Sequence, residues 1–417
     1  MRMKACIEGP ENPRRREFLK QAGVVTAVIA LGLSAEEPLP PAGKQVKIEK
    51  SRQKESMNEN AFEHKRDDFE RQFSKRAKID VGDGIARAVD IVPEHPKEGA
   101  APIWFNPPFG FSVTGFKPVI KVLSQTGRQV LSTDHPQRSN SEALELSNEQ
   151  QSLLKDLPAM PPIQVHKALD DIKVMEHMRA SGATIIGHSA GSASGAIAAL
   201  FRPDLFPEIV MFAPAGMVAN DTAGRLVKGM KDDFLKAKPT LDKIPVSDEV
   251  RAYAETVGGY IPPYEAIPKS EAVQKDGVQV WWEQLKYAFP NLKSAKDEVF
   301  GLAAMQMGPL LLKLRERRVG VVIMSGVDDT VYPHTDIMNT IASLDTSIET
   351  RGPELDPVKR EQRIQNFVKT IANGVVFVRG GHGQLGENPE LYATYAEHMA
   401  SNLEAIKKRK TTTDTSG

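Results

Sequence analysis

The chain has 417 residues, 40% of them hydrophobic and 26% charged, with 54 basic residues balanced by 54 acidic ones. That is globular composition with enough length to bury a large core, either as one big domain with insertions or as two domains. A formal net charge of zero provides no basic field for nucleic acid or an anionic membrane, and it agrees with a small substrate of little charge.

In chain order, the first feature is Arg14-Arg15-Arg16-Glu17-Phe18-Leu19-Lys20, followed by an apolar run from Val24 to Leu33. The run is shorter than the ~20 apolar residues a spanning helix needs. It fits the hydrophobic part of an export signal, with Leu33-Ser34-Ala35 as a small-residue cleavage site. The paired arginines before Phe-Leu-Lys resemble the twin-arginine export signal of bacteria, which carries proteins already folded. That resemblance implies a signal peptide over residues 1–35, the twin-arginine export machinery as partner during translocation, and a periplasmic or extracellular destination. Two other readings stay open: a basic patch beside a buried helix, and a start at Met57 with a cytoplasmic product. The single cysteine, Cys6, precedes the apolar run and so cannot be a lipid-bearing cysteine that follows one. An exported product would have no disulfide, thiol nucleophile or thiolate metal site.

Residues 36–77 read as a charged linker and a surface helix. The stretch 36–56 is rich in Pro, Lys and Glu, whereas Phe62, Phe69 and Phe73 fall on one helical face. Asp83-Gly84 then separates two short extended runs, as in a β-hairpin. Beyond it, strands are predicted at 102–105, 129–132, 184–186, 209–212, 319–324 and 375–378. Helices are predicted around Phe116, Val119, Ile120 and Leu123, and over 164–180. Strands alternating with helices imply an α/β protein with a mostly parallel sheet covered on both faces. The alternation breaks at 218–312, which is helical and carries Tyr260, Tyr264, Trp281, Trp282, Phe289, Met305 and Met307. Those side chains form either a small helical core or the inner face of a lid over an apolar pocket. The expected organisation is therefore a core of 78–217 and 313–408, a helical lid of 218–312 and a disordered tail of 409–417.

Gly187-His188-Ser189-Ala190-Gly191 directly follows the strand 184–186 and precedes a run of small residues, Ser192 to Ala196. A nucleophilic serine on a tight strand-to-helix turn needs small residues two places to either side, because a side chain there would meet neighbouring backbone. The turn raises the hydroxyl above the sheet beside a helix N-terminus, where developing negative charge is favoured. His188, adjacent to the serine in sequence, points elsewhere in such a turn and is not expected to be the base.

With these residues the chain resembles the α/β-hydrolase family, lidded esterase- or lipase-like branch, over roughly residues 78–405. Family order is nucleophile, acid, histidine, each on a loop after a strand. The strand 319–324 runs into Ser325-Gly326-Val327-Asp328-Asp329-Thr330-Val331-Tyr332-Pro333. The family's acid loop often has Gly-x-x-Asp followed by an apolar pair and proline, which picks Asp329, with Asp328 as its rival. The strand 375–378 leads into Arg379-Gly380-Gly381-His382-Gly383, placing His382 as general base. The remaining histidines, His64, His95, His135, His166, His177, His334 and His398, lie on polar segments and are expected at the solvated surface. Gly381-x-Gly383-x-x-Gly386 satisfies a dinucleotide-binding string, but too little chain follows for a βαβ unit. No cofactor or metal is implied, since the histidines and carboxylates lack ligand spacing.

The family usually places His-Gly after its third strand, with the next backbone N–H as an oxyanion donor. Here the stretch is Phe105-Asn106-Pro107-Pro108-Phe109-Gly110. Aligning it puts Pro107-Pro108 over His-Gly and Phe109 in the donor slot, with Ala190 as second donor. A register slip of one would place Pro108 there, which cannot donate; the Asn106 side chain is the substitute. The resemblance implies a serine hydrolase acting through an acyl-enzyme on a small-molecule ester. Carbon–carbon bond hydrolysis, amide or peptide cleavage and perhydrolysis stay open on the same triad. So does a ligand-binding protein on this scaffold, which loss of a triad member would favour; none is missing.

Overall fold

The computed structural model describes residues 68–136, 138, 142–158, 160–235, 292–326, 328–344, 374–378, 381–387 and 389–414. The expected signal 1–35, the linker to residue 67 with Phe62, the lid aromatics Tyr260, Tyr264, Trp281, Trp282 and Phe289, and residues 415–417 lie outside the described residues.

The described residues form an eight-stranded sheet: β1 Ala77–Asp80, β2 Ile85–Ile91, β3 Ile103–Asn106, β4 Val130–Asp134, β5 Thr184–His188, β6 Glu208–Phe212, β7 Gly320–Gly326 and β8 Gly374–Val378. Their spatial order is β1-β2-β4-β3-β5-β6-β7-β8. β2 runs antiparallel to both its neighbours, and every other pair is parallel. This strand order, with helices on both faces, is the α/β-hydrolase fold. The Asp83-Gly84 hairpin lies where the sequence puts it, joining β1 to β2, and Val81 N–H donates to the Gly84 carbonyl at 3.0 Å.

Apolar residues alternate between two cores because successive side chains leave opposite faces of a strand. Trp104, Ile185, Ile209, Met211, Val321 and Ile323 enter one core, with α4 Pro162–His177, α5 Ala190–Phe201 and α8 Met307–Glu316 against it. Ile103, Phe105, Ile186, Val210, Phe212, Val322 and Met324 enter the other, covered by α1 Asp68–Ser74, α2 Lys117–Gln125 and α11 Pro389–Asp414. Phe69 and Phe73 of α1 are buried there, as their shared face predicts. Four further α-helices are present among the described residues, α3 Asn148–Lys155, α6 Ala223–Leu235, α7 Leu292–Ala304 and α9 His334–Leu344, besides the single turn α10 Gln384–Glu387 and a 3-10 turn at Val113–Phe116.

Three boundaries differ from the sequence expectation. Helix α3 is unforeseen: it buries no residue, so it has no apolar stripe to read, and a Ser147–Gln150 capping box begins it. Helix α8 straddles the expected lid boundary at 312, and its Leu310, Leu311 and Leu314 belong to the main core. Met305 and Met307 are likewise buried in that core, with Met307 N–H bonded to the Gly216 carbonyl at 2.8 Å. Finally, α11 runs through Asp414, so residues 409–414 are helical where a disordered tail is expected. Extending an existing helix costs little once its nucleus is formed, and no proline or glycine intervenes.

Candidate active site

The turn from β5 into α5 holds Ser189 at φ +55°, ψ −116°, a left-handed conformation for a residue with a side chain. Such backbone costs about 1–3 kcal/mol and persists only where its surroundings enforce it. Here Ser189 N–H donates to the Phe212 carbonyl at 2.8 Å, while its own carbonyl accepts from Ser192 (3.0 Å) and Ala215 (3.2 Å). The flanking glycines are required by named atoms. A Cβ on Gly187 would lie 2.7 Å from Ser192 Cα, and one on Gly191 would run into the carbonyl oxygens of Asn106 and Pro107.

His382 Nε2 lies 2.9 Å from Ser189 Oγ, and His382 Nδ1 lies 3.0 Å from Asp329 Oδ2. With Nδ1 protonated toward the carboxylate, Nε2 is left to accept the serine proton. Asp329 is 3% exposed, and its Oδ1 accepts N–H bonds from Val331 (2.7 Å) and Tyr332 (2.9 Å). Its neighbour Asp328 is exposed, so of the two candidates only Asp329 meets the histidine. The three residues that chain order singles out thus form one relay.

His188 does face away from the serine. Its Nε2 donates to the His382 carbonyl at 2.9 Å, and its ring packs against Phe116, Phe212 and the His382 ring. Burial, then the nearby His382, push it well below the ordinary histidine range, so it stays neutral. A second support leaves no signal in the sequence: His382 N–H donates to Asp233 Oδ1 at 2.9 Å. Asp233 belongs to α6, and no local motif marks it.

Ala190 is the first residue of α5, so its N–H has no intrahelical acceptor and points out of the helix N-terminus. Neither Ala190 nor Phe109 donates a backbone hydrogen bond to any described residue. Phe109 is buried, and the chain turns after it through Gly110 at φ +75°. The Asn106 side chain, by contrast, is committed elsewhere. Its Nδ2 donates to Asp171 Oδ2 at 2.8 Å, and its Oδ1 accepts from the Trp104 indole at 2.8 Å. Asn106 therefore faces α4 and is not a substitute oxyanion donor.

The expectation that the other histidines are solvated holds for His95 and His177, is only half met by His334 and His398, which are half-buried, and is wrong for two more. His166 is buried in α4, and the side chain of His135 is only 10% exposed. Both sit among Asp83, Asp170, Asp171 and Arg138: His135 lies 3.4 Å from Asp171 and 3.5 Å from Asp170, while Arg138 bonds Asp170 at 2.5 and 2.9 Å. Burial pushes Asp171 up to about 6. Acids and bases that neutralise one another can enter a core their composition would keep them out of. No group of three or more His, Cys, Asp or Glu suited to a metal ion occurs among the described residues, and no described helix is long and apolar enough to cross a membrane.

The chain matches no family model. Over 75 residues it is 33% identical to the karrikin insensitive 2 receptor IA of Petunia hybrida, a stretch that is 18% of this chain and spans only 27% of that receptor. Among solved structures, an esterase from Exiguobacterium antarcticum matches 79% of this chain and 100% of its own at 13% identity and a TM-score of 0.45. An enol-lactonase from Burkholderia xenovorans matches 79% and 100% at 12% identity and a TM-score of 0.43. An epoxide hydrolase from Vigna radiata matches 80% and 98% at 17% identity and a TM-score of 0.43.

Proposed function

We propose that this protein is an exported serine hydrolase that cleaves small to medium apolar carboxylic esters through an acyl-enzyme. The observation that carries the reading is the Ser189–His382–Asp329 relay, with both hydrogen bonds at 2.9–3.0 Å. Ser189 Oγ attacks the ester carbonyl as His382 Nε2 takes its proton, and Asp329 steadies the imidazolium that forms. The oxyanion gathers on the N–H groups of Ala190 and Phe109. His382 returns the proton to the leaving alcohol, then removes one from water, which attacks the acyl group. The carboxylic acid departs and Ser189 regains its proton. An ester is the least demanding acyl donor for this relay, because an alkoxide is a much better leaving group than an amide nitrogen or a carbanion. The insertion between β6 and β7, short of the Met305–Leu314 stretch that packs into the main core, serves as the lid, and the paired arginines direct export with residues 1–35 as signal.

The test is Ser189→Ala assayed on p-nitrophenyl esters of graded chain length. Turnover should fall on the order of 10⁶-fold in a protein that still folds, the usual cost of removing a triad nucleophile; activity within tenfold of wild type would falsify the hydrolase reading. Export is checked by changing Arg15 and Arg16 to lysine, which should hold uncut protein in the cytoplasm; unchanged export rules out the twin-arginine route.

The segment shared with the Petunia receptor favours one other reading, a ligand receptor on this scaffold. A poised serine would react with a fluorophosphonate in either case, so labelling does not separate them. Multiple turnover does: a receptor would stop near one acyl group released per chain, whereas an esterase would continue.

A further inference from the structure

Helix α6 leads from the sheet into the inserted segment, and three of its residues spaced four apart face the two loops of the relay. Arg225 Nη2 donates to the Val331 carbonyl at 2.8 Å. Gly229 lies flat against the same loop: its carbonyl accepts from Thr330 Oγ1 at 2.9 Å, and a Cβ there would strike the Thr330 carbonyl oxygen. Asp233, 7% exposed, accepts the His382 N–H at 2.9 Å, and a Cβ on Gly381 would collide with its Oδ1. Residues four apart share a helix face, so one stripe touches both the acid loop and the histidine loop. The contacts close a ring: Arg225 to Val331, Val331 N–H to Asp329 Oδ1, Asp329 Oδ2 to His382 Nδ1, and His382 N–H back to Asp233. Two residues about 12 Å apart along one rigid helix therefore set the spacing of two loops that have no covalent reason to keep it.

We propose that α6 is the brace of the catalytic relay and that Asp233 is a positioning residue, tethering His382 to the first helix of the inserted segment; this rests on the hydrolase reading above. The carboxylate does not touch the reacting atoms. It fixes the backbone from which the imidazole projects, so that Nε2 meets Ser189 while Nδ1 meets Asp329.

The test compares Asp233→Ala with Asp233→Asn, whose amide oxygen can still accept the His382 N–H. Asp233→Ala should lower kcat roughly 10²-fold, the scale set by an ångström of misplacement, with KM within threefold; Asp233→Asn should recover at least tenfold of that loss. A kcat for Asp233→Ala within threefold of wild type, a loss confined to KM, or an asparagine variant no better than alanine would each overturn the proposal. A second readout needs no turnover. In the Ser189→Ala background, the low-field proton resonance of His382 Nδ1–H should survive Asp233→Asn and broaden or vanish in Asp233→Ala. That comparison stays decisive if the wild type proves to have no esterase activity, so the two readings fail separately. Should Asp233→Ala not fold, Gly381→Ala reaches the contact from the other side, since its Cβ displaces the carboxylate. It should show the same loss of kcat and of the resonance, and unchanged values of both would also overturn the tether.

Discussion

Replacing Asp329 by asparagine tests the relay at its most constrained member. The carboxylate accepts three hydrogen bonds: two on Oδ1 from the Val331 and Tyr332 N–H groups and one on Oδ2 from His382. An asparagine can preserve the first two only by placing its carbonyl oxygen where Oδ1 was. Flipping the amide would set its NH₂ against two buried N–H donors, each costing about 1–3 kcal/mol unpaired. The NH₂ therefore faces His382 Nδ1, which must then accept, and the ring carries its proton on Nε2. Ser189 Oγ, 2.9 Å away, now meets a donor where it needs an acceptor. Reversal of the tautomer at such a site costs roughly 10⁴ in turnover, or about 5.4 kcal/mol of barrier. The measurement is kcat on a p-nitrophenyl ester, with the melting temperature confirming that the shape is kept. Asp328→Asn is the control, because that side chain is exposed and should change kcat by less than threefold. An Asp329→Asn enzyme within tenfold of wild type, or a larger effect at Asp328, would refute the assignment of the acid.

Two further predictions concern the oxyanion loop and the sheet. Phe109→Pro removes a main-chain donor and should lower kcat roughly 10²–10³-fold, whereas Phe109→Ala retains it and should alter mainly KM; equal effects in a folded pair would place the donor elsewhere. Glu208, buried in β6 and bonded to Thr184 at 3.0 Å, is pushed by burial from 4.5 up to about 7. The folded chain thus holds a proton that the unfolded chain has lost between those values, so stability declines as pH rises from about 4.5 to 7, by up to about 3 kcal/mol. Glu208→Gln keeps an acceptor for Thr184 and should flatten that part of the melting-temperature profile; an unchanged slope would show that the decline originates in another group.

What was legible in the sequence is what local backbone chemistry demands. Ser189 announced itself because the elbow needs Gly187 and Gly191 within two residues, and the atoms those glycines avoid are backbone atoms. Asp329 and His382 were legible because each follows a short apolar strand, β7 or β8, in a fixed chain order. Asp233 left no such mark: it is 149 positions from His382, and the Asp232-Asp233 pair on an amphipathic helix reads as solvated. The burial of His135 and His166 is invisible in the sequence for the same reason, since their acidic partners are brought to them by the hairpin turn and α4, not by neighbours in the chain. A polar side chain whose partner lies across the fold looks the same in sequence as one facing water.

The oxyanion loop shows how a departure from a family pattern becomes intelligible once its surroundings are known. A glycine after the third strand lets backbone approach the elbow closely, and Pro107-Pro108 cannot supply that freedom. In this chain the room comes from the opposite side. The Asn106 and Pro107 carbonyls occupy the space that a Cβ on Gly191 would fill. The loop's entry is held in register by Asn106, clamped between Asp171 and the Trp104 indole, while the two prolines stiffen the backbone leading to Phe109. An asparagine at the end of β3 that looked like a rival donor is thus an anchor. Its buried partner Asp171, pushed up to about 6, can hold the Asn106 amide whether or not it carries a proton, because its Oδ2 remains free to accept when the proton sits on Oδ1.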